Sequence, residues 1–131
     1  MPPQLASAIQ KRAYAAYQGL HFSADARGET GRFLIEMLLD GLAASLSAAV
    51  KAERAGRVDE VSAAILRASR IVAGLQRSLD SKAAPQVAQD LSRVYQYFLF
   101  RLNRAHRGNA KACADELLGL TNILRSAFSP A

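Results

Sequence analysis

The sequence has little cysteine, glycine and proline, and each scarcity excludes a class of structure. Cys113 is the single cysteine among 131 residues, so no disulfide can form within one chain. One unpaired thiol is typical of a reducing compartment, and we expect the protein in the cytosol. The eight glycines and four prolines are far outnumbered by alanine, the best helix former. Because period-two strand patterns are also absent, the composition favours an all-α fold.

Secretion and membrane-spanning patterns are absent as well. The first residues, MPPQLASAIQKR, lack the basic-then-apolar order of a signal peptide. The apolar run FLIEMLL at 33–39 contains Glu36 and is far shorter than the roughly 18 residues that a membrane span needs. A chain of 131 residues, half of them hydrophobic, suits one domain with a packed core.

Residue patterns for catalysis or metal binding are scarce. Neither His21 nor His106 follows a glutamate by three positions, as a di-metal carboxylate site in a helical bundle requires. Glu36 and Asp40 lie one helical turn apart, where solvent exposure or an ion pair with arginine is the ordinary explanation. Phosphate-binding glycine loops and nucleophile elbows are absent. We therefore expect no enzymatic activity, no metal, no cofactor and no small-molecule substrate.

Positive charge is in excess. Lysine and arginine number 17 against 11 aspartates and glutamates, which gives a net charge of +6. Such an excess can indicate a nucleic-acid or acidic partner. The basic residues are nevertheless spread along the chain, with no run longer than Lys11-Arg12. Ordinary solvation of helix surfaces is therefore favoured, and nucleic-acid binding is the alternative.

Apolar residues recur every three or four positions in five segments, which predicts a short leading helix and four long ones. Short links between the long helices predict an antiparallel up-down four-helix bundle at 31–128, within a single domain. The predicted segments are a capping helix at 1–20, a loop at 21–30, and long helices at 31–55, 59–79, 85–107 and 109–128.

Helix ends carry recognisable signals. Thr30, Asp59 and Asn109 are polar residues placed just before apolar-periodic segments, which predicts N-caps. Gly56 is predicted to end the first long helix, because glycine commonly adopts the left-handed conformation there. Pro85 suits the first turn of the third.

The stretch VYQYFLFRL at 94–102 has more apolar residues than one helix face can hold. At about 100° per residue, Phe98 marks the core face, whereas Tyr97 and Phe100 fall on another side with Arg93 and Arg104. Helix and loop segments near the N-terminus could cover this second surface. Alternatively it binds a partner, because aromatic residues beside arginine are typical of interfaces.

Five stretches occur in a characteristic order over nearly the whole chain. They include an early Tyr-Gln, a Leu-Ile-x-Met-Leu run ending in Asp-Gly, a helix ending in Ser-Leu-Asp and a Tyr-x-Tyr helix. In order they are AYAAYQ (13–18), FLIEMLLDGL (33–42), RASRIVAGLQRSLD (67–80), VAQDLSRVYQYFLFRL (87–102) and LLGLTNILRSAF (117–128). Together they resemble the flagellar secretion chaperone family, FliS.

The resemblance implies a non-enzymatic cytosolic chaperone built as an antiparallel helical bundle. Proteins of this family bind the disordered C-terminal segment of newly made flagellin, which wraps around the bundle and forms short helices in its apolar grooves. Binding prevents premature polymerisation and keeps the subunit ready for the flagellar type III export gate. In the family, a tyrosine-containing N-terminal segment lies over a groove and can be displaced.

On this hypothesis a set of residues is predicted to bind the partner. Asp40 is chosen by motif match, and Tyr97 and Phe100 come from the second surface described above. The full set is Tyr14, Tyr17, Leu20, Met37, Asp40, Leu79, Leu91, Tyr95, Tyr97, Phe100 and Leu102.

The sequence departs from the family pattern in places. Leu39 stands where the family usually has tyrosine, and Ala84-Pro85 replaces Gly-Gly. His106 stands where an asparagine is usual, and Phe128 replaces tryptophan. These departures concern the details of partner binding more than the fold.

Two alternatives use the same bundle differently. A basic module would bind nucleic acid through Arg93, Arg101, Arg104 and Arg107, with steep salt dependence. An adaptor for another export substrate would use the same grooves, and the sequence does not separate it from a flagellin chaperone.

Overall fold

A computed structural model of the protein describes residues 29–79, 85–105 and 109–128. All regular secondary structure in these ranges is α-helical. The predicted all-α class and the four long helices are confirmed. The predicted capping helix at 1–20 and most of the loop at 21–30 lie outside the described residues. The four helices are α1 (Glu29–Arg54), α2 (Val58–Arg77), α3 (Pro85–Ala105) and α4 (Ala110–Phe128).

Each of these helices packs against two others. Helix α1 packs on α2 and α4, and α3 packs on the same two, so α1 and α3 lie at diagonal corners. Tyr97 contacts Glu116 and Arg101 contacts Cys113, so residue numbers rise along α3 as they fall along α4. Residues 55–57 join α1 to α2, a link that reverses the chain. These contacts are those of antiparallel neighbours.

Residue size sets how closely the helices approach. Helix α1 buries small side chains at Ala43, Ser45 and Ala49, and it packs closely on both neighbours. Helix α3 buries Tyr95 and Phe98, the two largest fully buried side chains, and it packs less closely. The next largest fully buried side chains are Leu39, Leu42, Leu46, Ile65, Leu75, Leu91, Leu102 and Leu117.

Two of the three predicted N-caps are wrong. Helix α1 already begins at Glu29, so Thr30 lies inside it. Helix α2 begins at Val58 after Arg57, which makes no side-chain cap hydrogen bond. Asp59 instead lies in the first turn, where a negative charge stabilises the helix N-terminus.

The third predicted cap agrees with the structure in its position. Asn109 directly precedes α4, and its carbonyl oxygen accepts a hydrogen bond from the Cys113 N–H at 3.1 Å. A cap residue whose carbonyl accepts the first intrahelical bond occupies the N-cap position.

The link between α1 and α2 depends on one left-handed residue. Gly56 has a φ of +71°, and its N–H donates to the Glu53 carbonyl at 3.1 Å. The Arg57 N–H donates to the Ala52 carbonyl at 2.9 Å. This pair of bonds is the Schellman motif, which ends a helix with glycine in the left-handed conformation. The predicted end of the first long helix at Gly56 is confirmed.

Replacement of Gly56 by alanine should lower the free energy of unfolding by about 1–2 kcal/mol, because a Cβ is strained at positive φ. Gly119→Ala is the matched control. It lies within α4, where a Cβ would meet nothing within 4 Å, and helix propensity predicts a gain of about 0.5–1 kcal/mol. Urea denaturation measures both, and a neutral Gly56→Ala would show that the turn carries no such constraint.

Candidate partner-binding surface

Among the described residues, a few large apolar side chains remain exposed and are candidates for partner contact. Leu34 and Met37, near the start of α1, are each 54% exposed, and Phe100 of α3 is 55% exposed. The set is completed by Leu66 of α2 and by Val58 at the α1–α2 link.

Met37 and Phe100 face away from each other. On the helical wheel, Met37 lies about 200° from Leu39 in α1, and Phe100 lies about 200° from Phe98 in α3. Each exposed side chain is therefore roughly opposite a core residue of its own helix. Leu39 and Phe98 are fully buried, and α1 and α3 lie diagonally in the bundle. The two exposed side chains therefore lie on opposite faces, with α2 or α4 between them.

Of the two aromatic residues on the predicted second surface of α3, Phe100 is exposed and Tyr97 is half-buried. The Arg104 guanidinium carbon lies 5.0 Å from the centre of the Phe100 ring, a cation–π contact on an exposed aromatic. Tyr97 is half-buried, and its hydroxyl donates a 2.8 Å hydrogen bond to Oε1 of Glu116 on α4. Phe100 is thus available to a partner, whereas Tyr97 is turned towards α4.

Tyr97 belongs to a polar cluster across the α3–α4 seam. Oε1 of Glu116 also accepts a 2.9 Å bond from Nε of Arg101. The Cys113 thiol donates to the Arg101 carbonyl at 3.3 Å. Burial raises the pKa of Tyr97, and the hydrogen bond to Glu116 raises it further. The cluster therefore joins two helices that otherwise pack less closely.

Cys113 is a packed core residue. Its side chain is only 3% exposed. Burial raises the pKa of the thiol to about 11, from an ordinary value of 9.0. A thiol with a raised pKa is a poor nucleophile at neutral pH, so Cys113 contributes packing and one weak hydrogen bond.

A groove between α2 and α3 contains another predicted residue. Its volume is about 460 Å³, and Leu79 lines one side of it. Gln76 donates a 3.1 Å hydrogen bond to the Ser92 hydroxyl across this groove. Its lining residues are Gln76, Leu79, Pro85, Ala88, Gln89, Ser92, Arg93 and Gln96.

A second cavity lies at the opposite end of the bundle. It has a volume of about 200 Å³ and is bordered by Val58, Val61, Ala105 and Ala110. Glu53 also lines it, and its Oε2 is buried without a hydrogen-bond partner. Of the predicted partner-binding residues that the structure describes, none lines this cavity.

Asp40 is engaged within the chain. Its Oδ1 accepts a 3.0 Å bond from Nε of Arg125 on α4, which is the ion pair expected as the ordinary explanation for this carboxylate. Both side chains remain substantially exposed. Asp40 therefore connects α1 to α4 at the surface and stays accessible to solvent.

Three predicted partner-binding residues need correction as surface residues. Leu91, Tyr95 and Leu102 are at most 1% exposed and belong to the core. They lie on the same face of α3 as Phe98, so their side chains contact the bundle interior. A partner cannot reach them without opening the bundle.

Three further predicted residues, Tyr14, Tyr17 and Leu20, lie outside the described residues. Sequence reasoning also missed Leu34 and Leu66 as exposed side chains. The helical wheel contains the signal for both, because each lies about 100° or more from the middle of its core seam.

The part of the chain that the structure describes contains no group of three potential metal ligands. Within the same ranges, no helix combines the length and apolar character of a membrane span.

Comparison with known proteins identifies the family. The sequence model described as "Flagellar protein FliS" matches residues 11–131 of the chain. The chain belongs to the FliS family. The resemblance inferred from five ordered motifs is thereby confirmed, and membership places the chain among flagellar secretion chaperones, which are not enzymes.

Two relatives of the FliS family illustrate the range of similarity. The chain is 28% identical over 117 residues to the flagellar secretion chaperone FliSB of Pseudomonas aeruginosa, covering 89% of this chain and 93% of that protein. It is 32% identical over 96 residues to the flagellar secretion chaperone FliS of Salmonella typhimurium, covering 72% and 71% respectively. The similarity to FliSB thus extends over most of both chains.

Two phenylalanines on α3 provide a test of the burial pattern. Phe98→Ala should lower the free energy of unfolding by about 3–5 kcal/mol, because it leaves a cavity in the core. Phe100→Ala should change it by about 0.5 kcal/mol or less, because the ring is exposed. Urea denaturation of both variants measures the difference. Equal losses would contradict the assignment of Phe100 to the surface.

The raised pKa of the Cys113 thiol predicts that the protein loses stability at alkaline pH. The raised pKa means that folding favours the neutral thiol, so this contribution is complete below about pH 9 and is lost as the pH rises towards about 11. The wild type should lose more unfolding free energy between these values than Cys113→Ala, in which only the tyrosines and other shared groups titrate. Parallel pH profiles for the two proteins would contradict the prediction.

Proposed function

We propose that this FliS-family protein is a cytosolic export chaperone that binds the disordered C-terminal segment of flagellin. Binding keeps flagellin from polymerising prematurely and keeps it competent for flagellar type III export. The observation that supports this proposal best is the exposure of Met37 and Phe100 on opposite faces of the bundle. A partner that buries both must wrap around the molecule.

The geometry of wrapping sets the length of the client segment. Neighbouring helix axes in bundles are about 8–10 Å apart. A path over the outside of α2 from Met37 to Phe100 is therefore roughly 40 Å long. About 12 extended residues or about 27 helical residues cover that distance. A disordered segment meets this requirement better than a folded domain with one flat surface.

The α2–α3 groove offers a site along this path. Leu79 and Ala88 provide apolar lining, and the Gln76–Ser92 hydrogen bond crosses the groove. A client helix in such a groove would bury apolar side chains at helical spacing. Because a disordered client loses conformational entropy when it orders, a large wrapped surface is needed to offset the cost.

The N-terminal segment is assigned a protective role in this proposal. Tyr14, Tyr17 and Leu20 would cover apolar surface when no client is bound and would be displaced on binding. This role rests on the family resemblance, because these residues lie outside the described ranges.

Calorimetric titration with the C-terminal segment of flagellin from the same organism tests the proposed function. We expect saturable binding with a negative heat-capacity change, the signature of apolar burial. The double variant Met37→Ser, Phe100→Ser should bind at least about tenfold more weakly, as expected for loss of two apolar anchors. Its urea midpoint should match that of the wild type, since both side chains are exposed.

Val58→Ser is the matched control for this experiment. Val58 is 74% exposed and lies at the opposite end of the bundle from Met37. Its replacement should leave the dissociation constant unchanged. Absence of flagellin binding by the wild type would contradict the proposed function. Saturable binding of duplex DNA instead would favour the basic-module alternative.

A further inference from the structure

The outer face of α2 carries a row of arginines. Arg67, Arg70 and Arg77 are exposed, and they lie about 110–170° from the middle of the buried seam on the helical wheel. From the first to the last, the row extends about 15 Å along the helix. Helix α2 contains only two acidic residues, Asp59 and Glu60, and both are in its first turn.

These three arginines differ from most other basic residues of the described chain. None of the three has a carboxylate partner among residues 29–79, 85–105 and 109–128. Five other basic residues of those ranges form ion pairs, whereas Lys51 and Arg54 at the end of α1 do not. The ion pairs are Arg57–Glu60, Arg93–Asp90, Arg101–Glu116, Lys111–Asp115 and Arg125–Asp40.

The row lies between the two exposed apolar sites. Gly41 packs against Ile71, and this antiparallel register places Arg77 at the level of Leu34 and Met37. On the other side, the Gln76–Ser92 contact fixes the α2–α3 register and places Arg67 at the level of Phe100. A segment that passes over α2 from Met37 to Phe100 therefore crosses the arginines.

The helix dipole explains only part of this charge pattern. A cation in the last turn, such as Arg77, stabilises the C-terminus of the helix. Arg67 and Arg70 lie in the middle of α2, where the dipole has little effect. No intrachain interaction in the described residues accounts for their position.

We propose that Arg67, Arg70 and Arg77 bind carboxylates of the client segment as it crosses α2. The client is then acidic between its apolar anchor residues. Arginine suits this role because its planar guanidinium donates two parallel hydrogen bonds to a carboxylate. This inference rests on the proposed function and adds to it the charge of the segment that is recognised.

A protein segment fits this surface better than nucleic acid does. Three cations along one helix, flanked by exposed Leu34, Met37 and Phe100, match a segment that alternates apolar and acidic residues. A phosphate backbone would leave the apolar side chains without a partner. Nucleic-acid binding is accordingly one of the outcomes tested below.

The experiment uses the full-length protein and a triple variant that combines Arg67→Gln, Arg70→Gln and Arg77→Gln. Both are titrated with the C-terminal flagellin segment. The triple variant should bind roughly 3- to 100-fold more weakly, the range expected for three exposed ion pairs. Wild-type binding should weaken between about 50 and about 500 mM NaCl, because salt screens exposed charges. The triple variant should lose most of that salt dependence.

A matched control removes the same charge elsewhere. Lys51→Gln, Arg54→Gln, Lys111→Gln also lowers the net charge by three, at exposed positions near the opposite end of the bundle. This variant should keep wild-type affinity and salt dependence. Equal weakening of both variants would show that only the net charge matters, and it would overturn the proposal.

A charge exchange tests direct pairing. Arg67→Glu, Arg70→Glu, Arg77→Glu should bind poorly to the native segment and better to one whose acidic residues are replaced by lysine. Failure of the exchange to recover affinity would overturn the proposal, as would unchanged binding by the glutamine variant. In either case, binding of flagellin by the wild type would still support the proposed function. Absence of flagellin binding by the wild type would contradict both the proposed function and the role of the arginines. The proposal would also be overturned if the wild type bound duplex DNA and only the variants at Arg67, Arg70 and Arg77 lost that binding.

Discussion

Close packing of α1 on its two neighbours is the constraint on which the rest of the bundle depends. Alanine and serine side chains on α1 allow α2 and α4 to approach it. The fourth helix, α3, fills the remaining side with Tyr95 and Phe98, and these large rings hold it farther away. The molecule therefore has a tightly packed helix at one corner and a more loosely packed one at the diagonal corner.

The polar groups of the bundle follow from this asymmetry. Where α3 stands farther from α4, there is room for Tyr97, Arg101 and Glu116 to form a half-buried cluster, in which one carboxylate oxygen accepts two hydrogen bonds. The cluster adds polar contacts to the apolar core that these two helices share. The same spacing leaves a groove on the α2 side, which the Gln76–Ser92 hydrogen bond crosses. The half-buried polar groups and the groove described above thus all involve α3.

The sequence predicts most of the fold and only part of the surface. Helical periodicity places Phe98 in the core and Phe100 outside, because both facts depend on one helix alone. It cannot show that Tyr97 meets Glu116, 19 residues away, or that Asp40 meets Arg125, since those contacts depend on how helices pack. The hypothesis of a flagellin chaperone selects Leu91, Tyr95 and Leu102 as partner contacts, whereas their positions on the wheel indicate the core. The sequence does not predict the start of α2 at Val58, because the Gly56 turn, and not a polar cap, fixes it.

The unequal lengths of the helices give the bundle a stepped end. Helix α1 has 26 residues and α2 has 20, so α1 is longer by about 9 Å. Because residues 55–57 hold the other ends level, the excess lies at the start of α1, beyond the last turn of α2. Leu34 lies at this step, level with the last turn of α2. A segment that docks there contacts the projecting end of α1 before it reaches any groove. It can therefore begin to bind without displacing a packed core side chain.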